Sequence, residues 1–219
     1  MMIEIFNIID VRQYIDNIDV VIFDLDDTLY SEKEYVRSGY RFVAKIFPEI
    51  NDMEQKLWSA FLNQEKAFNS VLQSEGYLTE GHLKKCVDGY RNHDPDIRLY
   101  EGVRDLLITL KHDGKKLGMI TDGRPEGQRK KIKSLQLEQL FDYIIITDEL
   151  GGEVFRKPNP KSFSVIREFF QTEYNKMVYI GDNLQKDFQA PMTLGMRSIW
   201  FHNSDGIYSG GRRMARSKG

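Results

Sequence analysis

The 219-residue chain contains one cysteine, Cys86. A lone thiol excludes an internal disulfide and with it the stapled secreted scaffolds, so a reducing cytoplasm is the expected setting. Long apolar runs are also missing. The opening MMIEIFNIIDVRQYIDNIDVVIF is interrupted by Glu4, Asp10, Arg12, Asp16 and Asp19 and has no basic leader or cleavage site. Neither a signal peptide nor a membrane span is expected there. With a formal net charge of −2, the chain lacks the one-signed excess that would suggest nucleic acid as a partner. Only the end, SGGRRMARSKG, is biased, with four basic groups and no acid. Residues 204–219 are therefore expected to be a solvated, disordered basic tail. The histidines His82, His93, His112 and His202 show no shared ligand spacing, and none is assigned to a metal. There is no internal repeat and no low-complexity linker.

What is present is an alternation of short β-branched runs with amphipathic helical stretches from about residue 96 onward. That alternation predicts βαβ units and a parallel sheet. The strand candidates are 20–24 (VVIFD), 116–121 (KLGMIT), 143–147 (YIIIT), 177–181 (MVYIG) and 197–201 (RSIWF). Helices are expected to begin near Gly102, Pro125, Pro160 and Leu184, with Gly114 and Gly195 at helix stops. The segment 31–95 differs, because it contains no convincing strand. Ser31 through Glu34 has capping-box spacing, and Val36, Tyr40, Val43 and Phe47 then recur at helical intervals. A second helix is expected from Asp52 to Gly76 and a third from Glu80 to Tyr90. The prediction is an α/β protein with an open parallel sheet and helices on both faces, a Rossmann-like core over 1–30 and 96–203. A small all-helical cap over 31–95 is inserted into it.

The stretch VVIFDLDDTLY places Asp24, Asp26 and Asp27 directly behind a buried strand. In an open parallel sheet the ligand crevice lies beyond the carboxyl ends of the strands, and Asp24, Thr121 and Asp182 each fall at such an end. Lys157, in RKPNP, stands just before the helix marked by Pro160. Carboxylates, a hydroxyl and an ammonium together suit a magnesium-dependent reaction on a phosphate.

At these residues the chain resembles the haloacid dehalogenase superfamily, in its phosphatase branch with a helical cap after the first core strand. Four motifs carry the resemblance: Asp24-Leu25-Asp26-Asp27-Thr28, Thr121 in MITDG, Lys157 in RKPNP, and Gly181-Asp182-Asn183-Leu184-Gln185-Lys186-Asp187. The resemblance implies a Mg²⁺-dependent phosphomonoester hydrolase acting on a small phosphorylated metabolite, a sugar phosphate first, through an aspartyl-phosphate. It implies Asp24 as nucleophile, Asp26 as general acid and base, Thr121 on a phosphoryl oxygen and Lys157 against its charge. It further implies Mg²⁺ held by Asp24, the Asp26 main-chain carbonyl and Asp182, with Asp187 in support. Asp122, Gly123 and Arg124 would lie beside the phosphate. Asp122 stands where Asn is usual in the family; it is expected to turn away and cap the helix that follows. The dehalogenases lack an acid two residues after the nucleophile, so Asp26 favours a phosphate substrate. A phosphomutase of the same fold and a non-catalytic phosphate- or metal-binding module remain the alternatives. Arg37 and Arg41, four residues apart on the first cap helix, are either a solvated face or a substrate contact.

Overall fold

The computed structural model describes residues 2–207. Six parallel strands form one sheet in the order β1-β6-β5-β2-β3-β4, where β1 is Met2–Ile5, β2 Val20–Phe23, β3 Lys116–Thr121, β4 Tyr143–Ile146, β5 Met177–Gly181 and β6 Arg197–Phe201. The side-chain period of two assigns each strand residue to one of two cores. Val21, Phe23, Met119, Val178, Ile180 and Ile199 face one side; Val20, Ile22, Ile120, Met177 and Tyr179 face the other. Both sides are covered by helices, so these strands read as continuous apolar runs, as a sheet buried on both faces requires.

The chain leaves β2 for four helices before returning to the sheet: α1 Glu32–Ile46, α2 Met53–Leu62, α3 Ala67–Ser74 and α4 Glu80–Asn92. Their inward residues, among them Val43, Phe47, Leu57, Leu72 and Cys86, form a third hydrophobic cluster separate from those of the sheet. Among the described residues, the remaining helices are α5 Val103–His112, α6 Pro125–Ser134, α7 Lys161–Phe170 and the short α8 Gln189–Thr193, with four 3-10 turns. No helix of the described residues is long and apolar enough to cross a membrane.

Five features differ from the sequence expectation. The edge strand β1 was not expected, because four residues interrupted by Glu4 carry too little pattern; it is held by parallel pairing with β6. The helix expected over 52–76 is two helices, broken at Gln64 in the left-handed region at φ 61°. There the Glu65 amide donates back to the Ala60 carbonyl at 2.9 Å, a helix-ending pattern that polar residues 63–66 leave free to form. Ser31 makes no side-chain cap to α1; the Glu32 amide instead donates to Asp27 Oδ1 at 2.8 Å. The helix expected near Leu184 begins only at Gln189, since Asn183 draws the Lys186 and Asp187 amides into a turn. Residues 204–207, expected in a disordered tail, are placed: Ile207 is buried in the α1–α4 cluster and its amide donates to Asp27 Oδ2 at 2.7 Å. The rest of that tail, 208–219, lies outside the described residues.

Candidate active site

Three adjacent strands, β2, β3 and β5, end at one place and deliver Asp24, Thr121 and Asp182 to it. Lys157 reaches the same point from the loop before α7. Its ammonium lies 2.8 Å from Asp24 Oδ1, 2.9 Å from Asp187 Oδ1 and 2.7 Å from the Tyr179 hydroxyl, with no solvent exposure. Burial would discharge such a lysine, but Asp187 and Asp24 outweigh it and hold its pKa well above the ordinary value. Asp24 is left only half compensated. Burial raises its carboxyl, Lys157 lowers it, and Asp187 raises it again, so that it is pushed up to about 6.

Asp187 is oriented by its neighbours: Oδ2 accepts from the Asn183 amide at 2.9 Å while Oδ1 faces Lys157. Gly181 makes this possible, because a Cβ there would lie 2.5 Å from Asp187 Oδ2. Asp182 is different. Among the described residues its carboxylate meets no hydrogen-bond donor, and burial together with Asp187, Asp24 and Asp27 holds its pKa well above the ordinary value.

Carboxylate oxygens of Asp24, Asp182 and Asp187 lie within 4.8 Å of one another. Two of the three suit a hard cation directly, since Asp24 keeps Oδ2 clear of Lys157 and Asp182 is unpaired, whereas both oxygens of Asp187 are engaged. Charge balance agrees. Asp24, Asp26, Asp27, Asp122, Asp182 and Asp187 stand against the ammoniums of Lys131, Lys157 and Lys186, an excess of acid over base. A divalent cation would offset part of that excess.

Asp26 stands two residues beyond Asp24 and is gripped elsewhere. Its Oδ1 accepts from Lys131 Nζ at 2.6 Å and from the Tyr30 hydroxyl, and Oδ2 accepts from Gln128 Nε2 at 2.9 Å. Burial would raise its carboxyl, yet Lys131 and these hydrogen bonds outweigh burial and hold it below the ordinary value. Gln128 also donates to Thr121 Oγ1 at 2.5 Å, so one amide joins the expected phosphate hydroxyl to the expected acid. Sequence reasoning missed Gln128 and Lys131. The signal was present: both are polar, and at spacing i, i+3 they take inward positions of α6 where Ile132 would otherwise predict apolar neighbours.

Asp122 does not cap α6, whose N-cap Arg124 makes no side-chain cap bond. Its Oδ1 instead accepts from the Lys157 amide at 3.1 Å and the Thr147 hydroxyl at 3.0 Å, and Oδ2 pairs with Lys186 at 3.0 Å. Burial opposes its charge, but Lys157 and Lys186 prevail and hold it at about 2. The extra carboxylate is therefore ionised and spent on clamping three loops together. Gly123, at φ 140°, takes a backbone conformation that disfavours other residues. Arg124 is half-exposed at the mouth, 3.8 Å from Glu126. Arg37 stacks over Trp58 with its guanidinium 4.5 Å from the ring centroid, and Arg41 pairs with Asp96 at 3.1 Å.

Known proteins share this arrangement of chain. Residues 21–201 match the family model described as haloacid dehalogenase-like hydrolase. The glyceraldehyde 3-phosphate phosphatase of Pyrococcus abyssi is 35% identical over 205 residues, covering 84% of this chain and 81% of the relative. That of Methanocaldococcus jannaschii is 29% identical over 198 residues, covering 82% of each. Among solved structures, the magnesium-bound HAD-hydrolase YfnB of Bacillus subtilis superposes with a TM-score of 0.61 at 23% identity, covering 84% of this chain and 86% of its own. The match spans both the sheet and the helices between β2 and α5, and on that extent the chain belongs to the haloacid dehalogenase-like hydrolase family.

Proposed function

We propose that the protein is a Mg²⁺-dependent phosphatase of a small phosphorylated metabolite, a sugar phosphate of triose size first. The observation that carries this reading is the buried Lys157 ammonium shared by Asp24 and Asp187 beside the unpaired Asp182. An oxygen of the Asp24 carboxylate attacks phosphorus in line and breaks its bond to the leaving oxygen. In its protonated form Asp26 gives the leaving alcohol its proton; as the carboxylate so formed it takes one from the water that attacks the aspartyl-phosphate at phosphorus, which breaks the bond between phosphorus and the Asp24 oxygen, regenerates the Asp24 carboxylate and releases phosphate. Lys157 and the Thr121 hydroxyl stabilise charge on the phosphoryl oxygens. Asp24, Asp182 and the Asp26 main-chain carbonyl would hold the metal, which supplies Lewis-acid charge stabilisation at the phosphoryl group.

The size of the substrate follows from the α1–α4 domain, taken as a cap over 31–95. A helical lid of that size shuts over a small molecule and excludes a folded phosphoprotein. The relatives named as glyceraldehyde 3-phosphate phosphatases support a triose phosphate. A cytoplasmic setting belongs to the same proposal. It is supported by the single cysteine, Cys86, which is free and buried.

The test is phosphate release from a panel of phosphorylated trioses, hexoses, hydroxy acids and nucleotides with Mg²⁺ and after chelation. Metal-dependent release, with a phosphoryl adduct on Asp24 seen by intact-protein mass spectrometry, is expected. Absence of turnover across the panel would leave a binding module, and turnover only with a bisphosphorylated activator and no net phosphate release would indicate a mutase.

A further inference from the structure

Asp26 is pinned by three donors from two elements, and only one of them is charged. Lys131 Nζ sits 2.6 Å from Asp26 Oδ1, and its side chain is 6% exposed. A buried lysine is costly unless paired, so its placement here, opposite one carboxylate and no other within ion-pair distance among the described residues, needs a reason. Its other neighbour is the ring of Tyr35 on α1, with the ammonium 4.2 Å from the ring centroid. The quadrupole of that ring favours a cation on its face.

The helix that carries Lys131 is itself anchored at both sides. Arg129 makes two bonds of 2.8 Å to Glu149 in the loop after β4. Lys130 pairs with Asp94 at 3.0 Å and donates to the Asn92 carbonyl at the end of α4. Lys131 therefore stands where the sheet domain, the end of the helical domain and the turn bearing Asp26 meet.

We propose that Lys131 is the positioning residue for Asp26, fixing the carboxyl group toward the leaving oxygen, and that Tyr35 of the helical domain holds Lys131 in that task when the domain is seated. This rests on the acid and base role of Asp26 proposed above. A carboxyl group with three fixed donors has one orientation rather than several, and orientation is what proton transfer to a bound oxygen requires. Removing the charged donor leaves Asp26 present and misaligned. The loss then appears in the steps that move a proton and spares binding.

The experiment compares Lys131→Met, Asp26→Asn and the double variant on para-nitrophenyl phosphate, whose leaving group needs little protonation, and on glycerol phosphate, whose leaving group needs a proton. Lys131→Met is expected to lose about 10- to 100-fold in kcat on glycerol phosphate with KM little changed, as for other residues that orient a reacting group. On para-nitrophenyl phosphate it should show a nitrophenol burst, with phosphate retained on Asp24. In the Asp26→Asn background it should lower kcat no further, and Lys131→Arg should recover most of the loss. Tyr35→Leu should give the same leaving-group skew at smaller size. Equal slowing of the first, phosphorylating step on both esters in rapid quench, a full additive loss in the Asp26→Asn background, or wild-type behaviour of Lys131→Met would each overturn the proposal. Wild-type turnover of Asp26→Asn alone would overturn the Asp26 role first and the Lys131 role with it. Should Lys131→Met not fold, Lys131→Gln, which keeps a donor without charge, decides by the same ratios.

Discussion

Lys157 and Lys131 are both buried, and each holds a carboxylate of the turn after β2, at 2.8 Å from Asp24 and 2.6 Å from Asp26. Lys157 is shared with Asp187, and burial together with the Asp187 charge outweighs it, so the Asp24 carboxyl rises to about 6. Among the described residues Lys131 lies within ion-pair distance of Asp26 alone, and with the Tyr30 and Gln128 hydrogen bonds it holds Asp26 below its ordinary value. Distance from a cation alone thus does not decide the state of a buried acid; the competing acids and the hydrogen bonds around it enter with it. The undercompensated acid is the one with an oxygen left for a metal or for phosphorus. The fully compensated one is fixed in place.

The sharpest way to break that comparison is to remove the acids in turn. Asp24→Asn is expected to abolish turnover and covalent phosphate together, because an amide is no nucleophile. Asp26→Asn should retain the covalent phosphate and lose roughly 10²- to 10⁴-fold in turnover, measured by rapid quench and mass spectrometry. Replacing the lysines comes next. Lys157→Met strands two buried carboxylates against each other and should cost on the order of 3–5 kcal/mol by denaturant melts, besides at least 10²-fold in kcat. Lys131→Met strands one carboxylate that still has Gln128 and Tyr30 and should cost less. Equal costs would show that sharing does not matter.

Thermal melts in chelator sharpen the same contrast. Asp24 has a folded pKa of about 6 against an ordinary 3.8, so the folded state binds its proton better and stability falls as pH rises between those values. At pH 7 Asp24→Asn should therefore raise the metal-free Tm by about 2–6 °C. Asp26 is lowered, contributes stability above the ordinary carboxyl value, and loses it as pH falls through its folded value. Asp26→Asn should lower Tm at pH 7. Mg²⁺ should stabilise wild type more than Asp24→Asn, and a flat response of both variants would contradict the assignment.

Smaller still is the Asp122–Lys186 pair. Each single neutralisation should destabilise, and the two together less than their sum, with a coupling of roughly 0.5–3 kcal/mol in a double-mutant cycle. Ala substitution of Arg37 and Arg41 should leave kcat and KM unchanged, because Trp58 and Asp96 already occupy those side chains.

The core strands were legible because a strand buried on both faces writes itself as an unbroken apolar run, as in Val20–Phe23 and Met177–Gly181. Met2–Ile5 was not, since an edge strand needs its partner β6 to hold it and its pattern alternates over only four residues. The polar residues brought to the sheet edge were readable as motif and spacing. The grip on Asp26 was not, because Gln128 and Lys131 lie 102 and 105 positions away and only the fold brings them close. Asp122 was read as a helix cap from its local position, whereas its partners Thr147, Lys157 and Lys186 come from three later segments.

The placement of residues 203–207 has a mechanical consequence. The two chain crossings between the sheet and the helical domain run side by side, with Tyr30 bridged to Leu99 and the Tyr100 amide bonded to the Leu29 carbonyl at 2.9 Å. A body hung on two adjacent cords swings freely about the line joining them. Here a third cord is tied: Asn203 donates to the Asp27 carbonyl at 2.8 Å, Asp205 pairs with Lys33 at 2.6 Å, and Ile207 sits in the apolar cluster of the helices. With the Lys131–Tyr35 and Lys130–Asn92 contacts, this attachment holds the helices against the sheet at points on both sides of the two crossings.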